Sequence, residues 1–442
     1  MVFNFIFLSY LIIKYKLYYM PFFTTTYDII IVGGGISGLF LAYKLRNTNL
    51  NILLIEQNKS LGGRIQTKEI DDIQYEAGAG RFNENHTKLI SLINELNISD
   101  KIIPLSKHVD KKLRKYNTNY KLNIHYLFDV MEKKYKNYDK EYLVNISFLN
   151  FLTEIFDYET ACFLKDSMGY DSEFLDLNAY SSISMFKDDL FKNTQYYVLK
   201  DGLSDIIKLM EQKIKKNKNV TILKNNSLKK IYNDKIITSI DDYYYKNLIL
   251  CIPQYNLKQL DEFKDFKLLD SVKPINLLRI YAKYPVPDKG VWFKDIKRTT
   301  TDNYLRHIIP INYSDGVIMI SYTDGFITNV LSDLKNNGDE ALMKAIHKEI
   351  KKLFNITPPE PLKVYFHYWK DEYAGAHFWR TTQNHDELYE KILQPDKDKN
   401  VFICGETYSK KQAWVEGALE TSYDVLKKLK LDNIDIDVEN NL

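Results

Sequence analysis

Cysteine is almost missing from this chain: Cys162, Cys251 and Cys404 are the only three in 442 residues, an odd number with no CxxC spacing. Such usage excludes a disulfide-stapled secreted scaffold and points to a reducing, cytoplasmic setting. Histidine is scarce too, and His367, His377 and His385 lack partners at metal-ligand spacing, so no metal site is expected. An excess of charge of one sign is also lacking. The formal net charge is +3, and lysines alternate with acids and neutral residues, as in Lys208 to Lys218. That pattern excludes the continuous basic groove of a nucleic-acid-binding protein.

Long apolar runs are missing as well. The longest candidate, Phe3 to Ile13, has eleven residues and is followed by Lys14 and Lys16. It is too short to span a bilayer comfortably, and it has neither the basic start nor the small-residue cleavage site of a signal peptide. Met20 stands shortly before the first strand, so residues 1–26 are read as an extension reflecting upstream read-through, with a membrane-associated anchor as the alternative. What the chain does have is ordinary globular composition, 45% apolar and 27% charged, and a length that calls for two cores.

The most informative segment is Tyr27 to Arg64, YDIIIVGGGISGLFLAYKLRNTNLNILLIEQNKSLGGR. Ile29 to Val32 is short and β-branched, as a strand buried on both faces should be. Gly33, Gly35 and Gly38 follow at GxGxxG spacing. Gly33 permits a tight turn, Gly35 lets the backbone approach a pyrophosphate, and Gly38 lets the next helix lie close to the sheet. That helix, from Ser37 to about Arg46, directs free N–H groups at phosphates. The strand Ile52 to Ile55 ends at Glu56, 18 residues beyond Gly38 and suited to a ribose hydroxyl. Strand, glycine turn, helix, strand and acid in this order predict a bound dinucleotide.

Leu61 to Thr67, LGGRIQT, then identifies a resemblance to the flavin-containing amine oxidase family, which includes monoamine and polyamine oxidases. Tyr75 to Phe82, YEAGAGRF, looks like the family's second flavin-facing segment, and Leu248 to Pro253 like its strand before the substrate domain. Val401 to Ser422, VFICGETYSKKQAWVEGALETS, is similar to its closing motif. The resemblance covers roughly Tyr27 to Leu429. It implies FAD, with Gly33, Gly35, Ser37 and Gly38 at the pyrophosphate and Glu56 at the ribose. Gly62, Gly63 and Arg64 would lie near the phosphates, and Gly78, Ala79, Gly80, Arg81 and Phe82 beside the ring. Leu228 would touch the adenine, while Gly405, Glu406, Trp414 and Val415 would hold the ribityl chain and pyrimidine end. Ala376 occupies the position of the cysteine that binds flavin covalently in some members, which implies noncovalent FAD.

The activity implied is oxidation of a small-molecule amine by dioxygen, yielding an imine and hydrogen peroxide. Trp414 and His377 are the expected walls of an aromatic cage around the substrate nitrogen, and Arg279 the expected substitute for a family lysine near the flavin. Two alternatives remain open. Protoporphyrinogen oxidases and carotene-desaturase-like enzymes share this fingerprint but dehydrogenate C–C bonds, and a flavin-binding protein without turnover would carry it too.

The implied architecture is α/β: a Rossmann-like FAD-binding domain, a mixed-sheet substrate domain and a helical insertion. The cofactor domain is expected to be discontinuous, from 27–105, 195–255 and 400–431, with substrate domain and insertion at 106–194 and 256–399 and an acidic tail at 432–442. Within the insertion, Ser147 to Leu164 has helical periodicity. Leu277 to Ala282 and Gly316 to Tyr322 read as strands, and Asp339 to Phe354 as a helix.

Overall fold

The computed structural model describes residues 25–70, 73–116, 123–189, 194–380 and 385–432. The apolar N-terminal run and nearly all of the acidic tail lie outside the described residues.

Two large sheets organise the fold. The first has seven strands, and its central members are parallel: Asp242–Leu250, Thr26–Val32, Ile52–Ile55 and Val220–Leu223 stand side by side. Val401–Ile403 also pairs in parallel with Asp242–Leu250, while Leu228–Ile231 and Lys235–Thr238 add an antiparallel hairpin. Ile29 and Ile31 pack on one face with the helices Ile36–Leu45, Ser204–Lys215 and Val415–Lys428. Ile30 and Val32 pack on the other with Leu257, Leu388 and Ile392. Burial on both faces explains why these strands are apolar throughout and do not alternate.

The second sheet has six strands in the order Lys363–Trp369, Leu277–Lys283, Val317–Asp324, His307–Asn312, Thr299–Thr301, Asp110–Lys112. It is mixed, since the last pair is parallel and the others antiparallel. Here side-chain alternation does the sorting. Leu278, Ile280 and Ala282 face the helices Ile327–Asn336 and Asp339–Phe354. Arg279 and Tyr281 point the opposite way, where each donates a hydrogen bond to the carbonyl of Glu76 at 2.9 and 2.6 Å.

Helices between residues 124 and 189 form their own apolar cluster around Phe148, Phe151 and Phe174. The periodic stretch from Ser147 is not one helix: it divides into Phe148–Ile155 and Tyr158–Met168. Asp157 explains the break, because its carboxylate accepts the N–H of Thr160 at 2.7 Å and caps the second helix. This helical layer is tied to the second sheet by a buried ion network. Arg306 pairs with Asp166 at 2.9 Å and with Asp171, while Asp324 accepts the N–H groups of Asp171 and Ser172, both at 2.9 Å.

Candidate active site

A cleft with a cavity of about 450 Å³ opens at the carboxyl ends of the parallel strands, where ligands of open α/β sheets bind. Its floor is backbone. Gly33 has φ of +107°, and a Cβ there would lie 2.4 Å from the carbonyl oxygen of Cys251. A Cβ at Gly38 would lie 2.0 Å from the carbonyl oxygen of Gly33, so only glycine lets the helix start this close to the strand. At Gly35 a Cβ would meet nothing within 4 Å, so the space above that residue belongs to the cleft. Glu56 is buried; one carboxylate oxygen accepts the N–H of Gly34 at 2.7 Å and the other that of Asn58 at 2.8 Å, which fixes the group at the cleft wall. Ser37, Gly62, Gly63, Arg64 and Leu228 also line the cleft.

Glu406 is the electrostatic centre. It is 5% exposed and accepts from Arg64 Nη1 at 2.6 Å, from the N–H of Ala413 at 2.7 Å and from the N–H of His377 at 3.0 Å. Burial alone would raise its pKa, but Arg64 and His377 hold the carboxyl well below the usual carboxylate range. Arg64 thus reaches from the phosphate end to the closing segment, joining positions 342 residues apart.

At the inner end, Gly78, Ala79, Trp414, Val415, Gly405 and Glu406 line the cleft. Three residues expected there do not. Phe82 is fully buried in the core of the first sheet's helical face. A Cβ at Gly80 would instead meet the side chain of Glu76 at 2.8 Å, and Arg81 faces a different cavity. The chain turns at Ala79 into the strand Phe82–Asn83, which pairs with Tyr196–Leu199 and carries the later residues away.

The cage expectation is corrected on one side. His377 is 1% exposed and lies behind Glu406, with Nδ1 3.2 Å from its carboxylate. It does not line the cleft, because the strand Ala376–Trp379 pairs with Val272–Ile275 and turns that side chain inward. Burial lowers the pKa of His377 despite the carboxylate beside it. Leu277, Tyr322, Trp369, Tyr373 and Gly375 line the cleft together with Trp414. Trp369 is held by a 2.6 Å hydrogen bond from Nε1 to the carbonyl of Ala77. Its position at the end of a strand, four residues before Tyr373 of YAGAHFW, was the available signal. Tyr322 has no local signal, since only pairing with Arg279 brings it to the cleft.

Arg279 does line the cleft. Its guanidinium stands 4.5 Å from the centre of the Tyr322 ring, and its Nε has no hydrogen-bond partner. Trp414 is oriented by His86, whose ring meets it edge-on at 4.7 Å. Burial, then Lys411 and Arg81, pull His86 down to about 3, so it packs as a neutral imidazole.

Beyond Trp414 lies a second cavity of about 830 Å³, roofed by the helical insertion. Trp414 lines both cavities. A ring ladder also joins them: His307 stands 4.6 Å from Tyr170, and Tyr170 stands 5.6 Å from Tyr322.

The glycine cradle, the open space at Gly35, the fixed Glu56 carboxylate and the orphaned Arg279 Nε are residues that would fit a bound FAD.

Comparison with known proteins agrees with this geometry. The sequence model of the flavin-containing amine oxidoreductase family matches residues 36–425. Achacin of Lissachatina fulica is 40% identical over 78 residues, 17% of this chain and 15% of that protein. The match thus spans about one sixth of the length of such curated relatives. The solved structure of putrescine oxidase bound to putrescine superposes with a TM-score of 0.71 at 16% identity, covering 92% of this chain and 99% of that one. A putative protoporphyrinogen oxidase from Exiguobacterium superposes with a TM-score of 0.67 at 15% identity, covering 92% and 100%. At such identities the likeness is one of fold.

Proposed function

Because the chain belongs to the flavin-containing amine oxidoreductase family, we propose that it oxidises a small-molecule amine with noncovalently bound FAD and dioxygen. FAD held in the cleft supplies two-electron chemistry: the carbon next to the substrate nitrogen loses a hydride equivalent, water converts the imine to a carbonyl, and dioxygen takes the electrons as hydrogen peroxide. The chain's own residues bind, orient and exclude water. Gly33, Gly35, Ser37, Gly62, Gly63 and Arg64 hold the phosphates, Glu56 a ribose, and Leu228 the adenine. Trp414, Trp369 and Tyr322 enclose the reacting end in apolar walls, which disfavour an ammonium ion and so favour the neutral amine that can give up hydride. Arg279 takes the place of a family lysine, holding a proton-donating group toward the ring from its position beside Tyr322.

The cofactor unit in this reading comprises 27–105, 195–255 and 400–431, and the substrate unit comprises 106–194 and 256–399. Three free cysteines suit a reducing compartment, hence the cytoplasm. Among the described residues, no helix is long and apolar enough to cross a membrane.

The observation that carries the proposal is the convergence of Arg64 and Glu406 at 2.6 Å, which closes the phosphate segment against the C-terminal segment around one cleft. The test is anaerobic mixing of the yellow holoenzyme with a panel of amines. Bleaching by amines is expected. Bleaching only by a porphyrinogen or polyene would favour C–C dehydrogenation, a reading that the protoporphyrinogen oxidase-like fold and the large second cavity support. Within the panel, Arg279→Met is expected to slow flavin reduction or reoxidation by about tenfold, the scale of one lost charged hydrogen bond. Unchanged rates in both half-reactions would remove Arg279 from the site.

A further inference from the structure

The floor of the flavin cleft holds a pair of thiols that the proposed reaction does not use. The strands Asp242–Leu250 and Val401–Ile403 are parallel neighbours that end in register, Leu250 beside Ile403. Each is followed by a cysteine. Cys251 and Cys404 both line the cleft, and their sulfurs stand 3.2 Å apart. They are 153 residues apart in the chain, so only the sheet brings them together. Cys162, the third cysteine, sits in the helix Tyr158–Met168 of the separate helical layer.

Two sulfurs at this separation are poised to bond. Neighbouring strands stand about 4.8 Å apart, inside the range of about 4.4–6.8 Å that Cα atoms span across a disulfide. An approach of about 1 Å brings the sulfurs to a bond length of about 2.05 Å. That approach acts on the backbone that shapes the cleft. Cys251 donates its N–H to the carbonyl of Val32 at 2.7 Å, and its own carbonyl oxygen lies 2.4 Å from where a Cβ on Gly33 would stand. Cys404 donates its N–H to the carbonyl of Leu250 at 3.0 Å and leads directly into Gly405 and Glu406, the partner of Arg64. A bond between the two sulfurs therefore pulls on the glycine turn from one side and on the Glu406 segment from the other.

We infer that Cys251 and Cys404 form a reversible dithiol–disulfide site in the cleft floor, and that its oxidation by hydrogen peroxide loosens the hold on FAD. The inference rests on the FAD reading of the cleft and not on which substrate is oxidised, although dioxygen reduction in that reading would release the same oxidant. One sulfur attacks a peroxide oxygen, the O–O bond breaks, and one water leaves a sulfenic acid behind. The other sulfur then attacks the sulfenic sulfur, and its thiol proton leaves with the hydroxyl as a second water. Two thiols give up two electrons in all, and one peroxide is reduced to two waters. Burial first, then the Cys404 sulfur beside it, push the Cys251 thiol well above its usual value, which suits Cys251 to the resolving step and leaves the first attack to Cys404. In a reducing compartment such a bond is transient, and thiol reductants return the pair to its open state.

The test treats the purified holoenzyme with hydrogen peroxide and no amine, alkylates the remaining thiols with iodoacetamide under denaturing conditions, and maps the peptides by mass. Flavin retained after gel filtration is read in parallel. Cys251 and Cys404 are expected to escape alkylation together, joined as one disulfide that excludes Cys162, and the retained flavin to fall. Dithiothreitol followed by FAD restores both. In Cys251→Ser and in Cys404→Ser no such disulfide forms, and flavin retention no longer responds to peroxide. Full alkylation of both cysteines after peroxide, or a sulfinic acid on either in place of the disulfide, overturns the site. A disulfide that leaves flavin retention unchanged overturns its effect on the cofactor. Should a serine variant fail to fold, the wild-type peptide map still decides. Protein that never holds flavin sinks the FAD reading, while the same map reports on the sulfur pair independently.

Discussion

The two cavities on either side of Trp414 are built by opposite means. The floor of the first cleft is made of backbone: Gly33 and Gly38, which leave no room for a side chain, and N–H groups at a helix start, with one ion pair, Arg64 with Glu406, beside them. The second cavity is lined by side chains, several of them basic. A backbone site is rigid and recognises what every relative must bind. A side-chain site on an inserted layer can be rewritten residue by residue without disturbing the first.

This contrast predicts which change ruins which half. Gly38→Val should have the largest effect: its side chain would collide with the carbonyl of Gly33, so purified protein should be colourless and resist reconstitution with FAD. Full flavin content in that variant would show that the helix can shift and that the close approach is dispensable. Arg306→Met should act on the other half. It removes the buried guanidinium that pairs with Asp166 and Asp171 and leaves them Lys165 as their shared cation, at a cost of about 3 kcal/mol in chemical denaturation. The protein that stays folded should still be yellow. Loss of flavin with normal stability would invert the assignment of the two regions.

Glu406→Gln should cost less, about 1.5–3 kcal/mol for a lost charged acceptor. The sign of its pH dependence follows from the depressed pKa. A carboxyl held low in the folded state contributes stability that is complete above about pH 4, the ordinary carboxylate value, and that drains away as the pH falls through its folded value. The wild-type protein should lose more stability than Glu406→Gln on acidification, measured by thermal melts from neutral pH downward. Parallel curves would show that the pair with Arg64 contributes nothing net.

Much of this was legible in the chain itself. Alternation marked Leu277 to Ala282 and Gly316 to Tyr322, and strands stand at Leu277–Lys283 and Val317–Asp324; the helical pattern of Asp339 to Phe354 is a helix with those limits. Arg279 reached the cleft because strand alternation places it opposite Leu278 and Ile280. His377 did not: Gly375 precedes the strand Ala376–Trp379, and along that strand His377 turns to the buried carboxylate of Glu406 while Ala376 and Phe378 take the other face. Arg81 was misplaced for a related reason: glycine spacing describes a segment only until its chain direction changes, and Phe82–Asn83 pairs elsewhere.

The amino-acid sequence by itself determined the phosphate-binding end, because that function is carried by short-range spacing: three glycines, a helix start and an acid within one βαβ unit need no distant partner to be recognised. Only the tertiary structure decided the second cavity. Lys111, Ser167, Arg298 and His307 come from four separate stretches of the chain and meet only in its lining. Neighbours that meet only in space have no local signature, since nothing in their spacing along the chain says that they will share a wall.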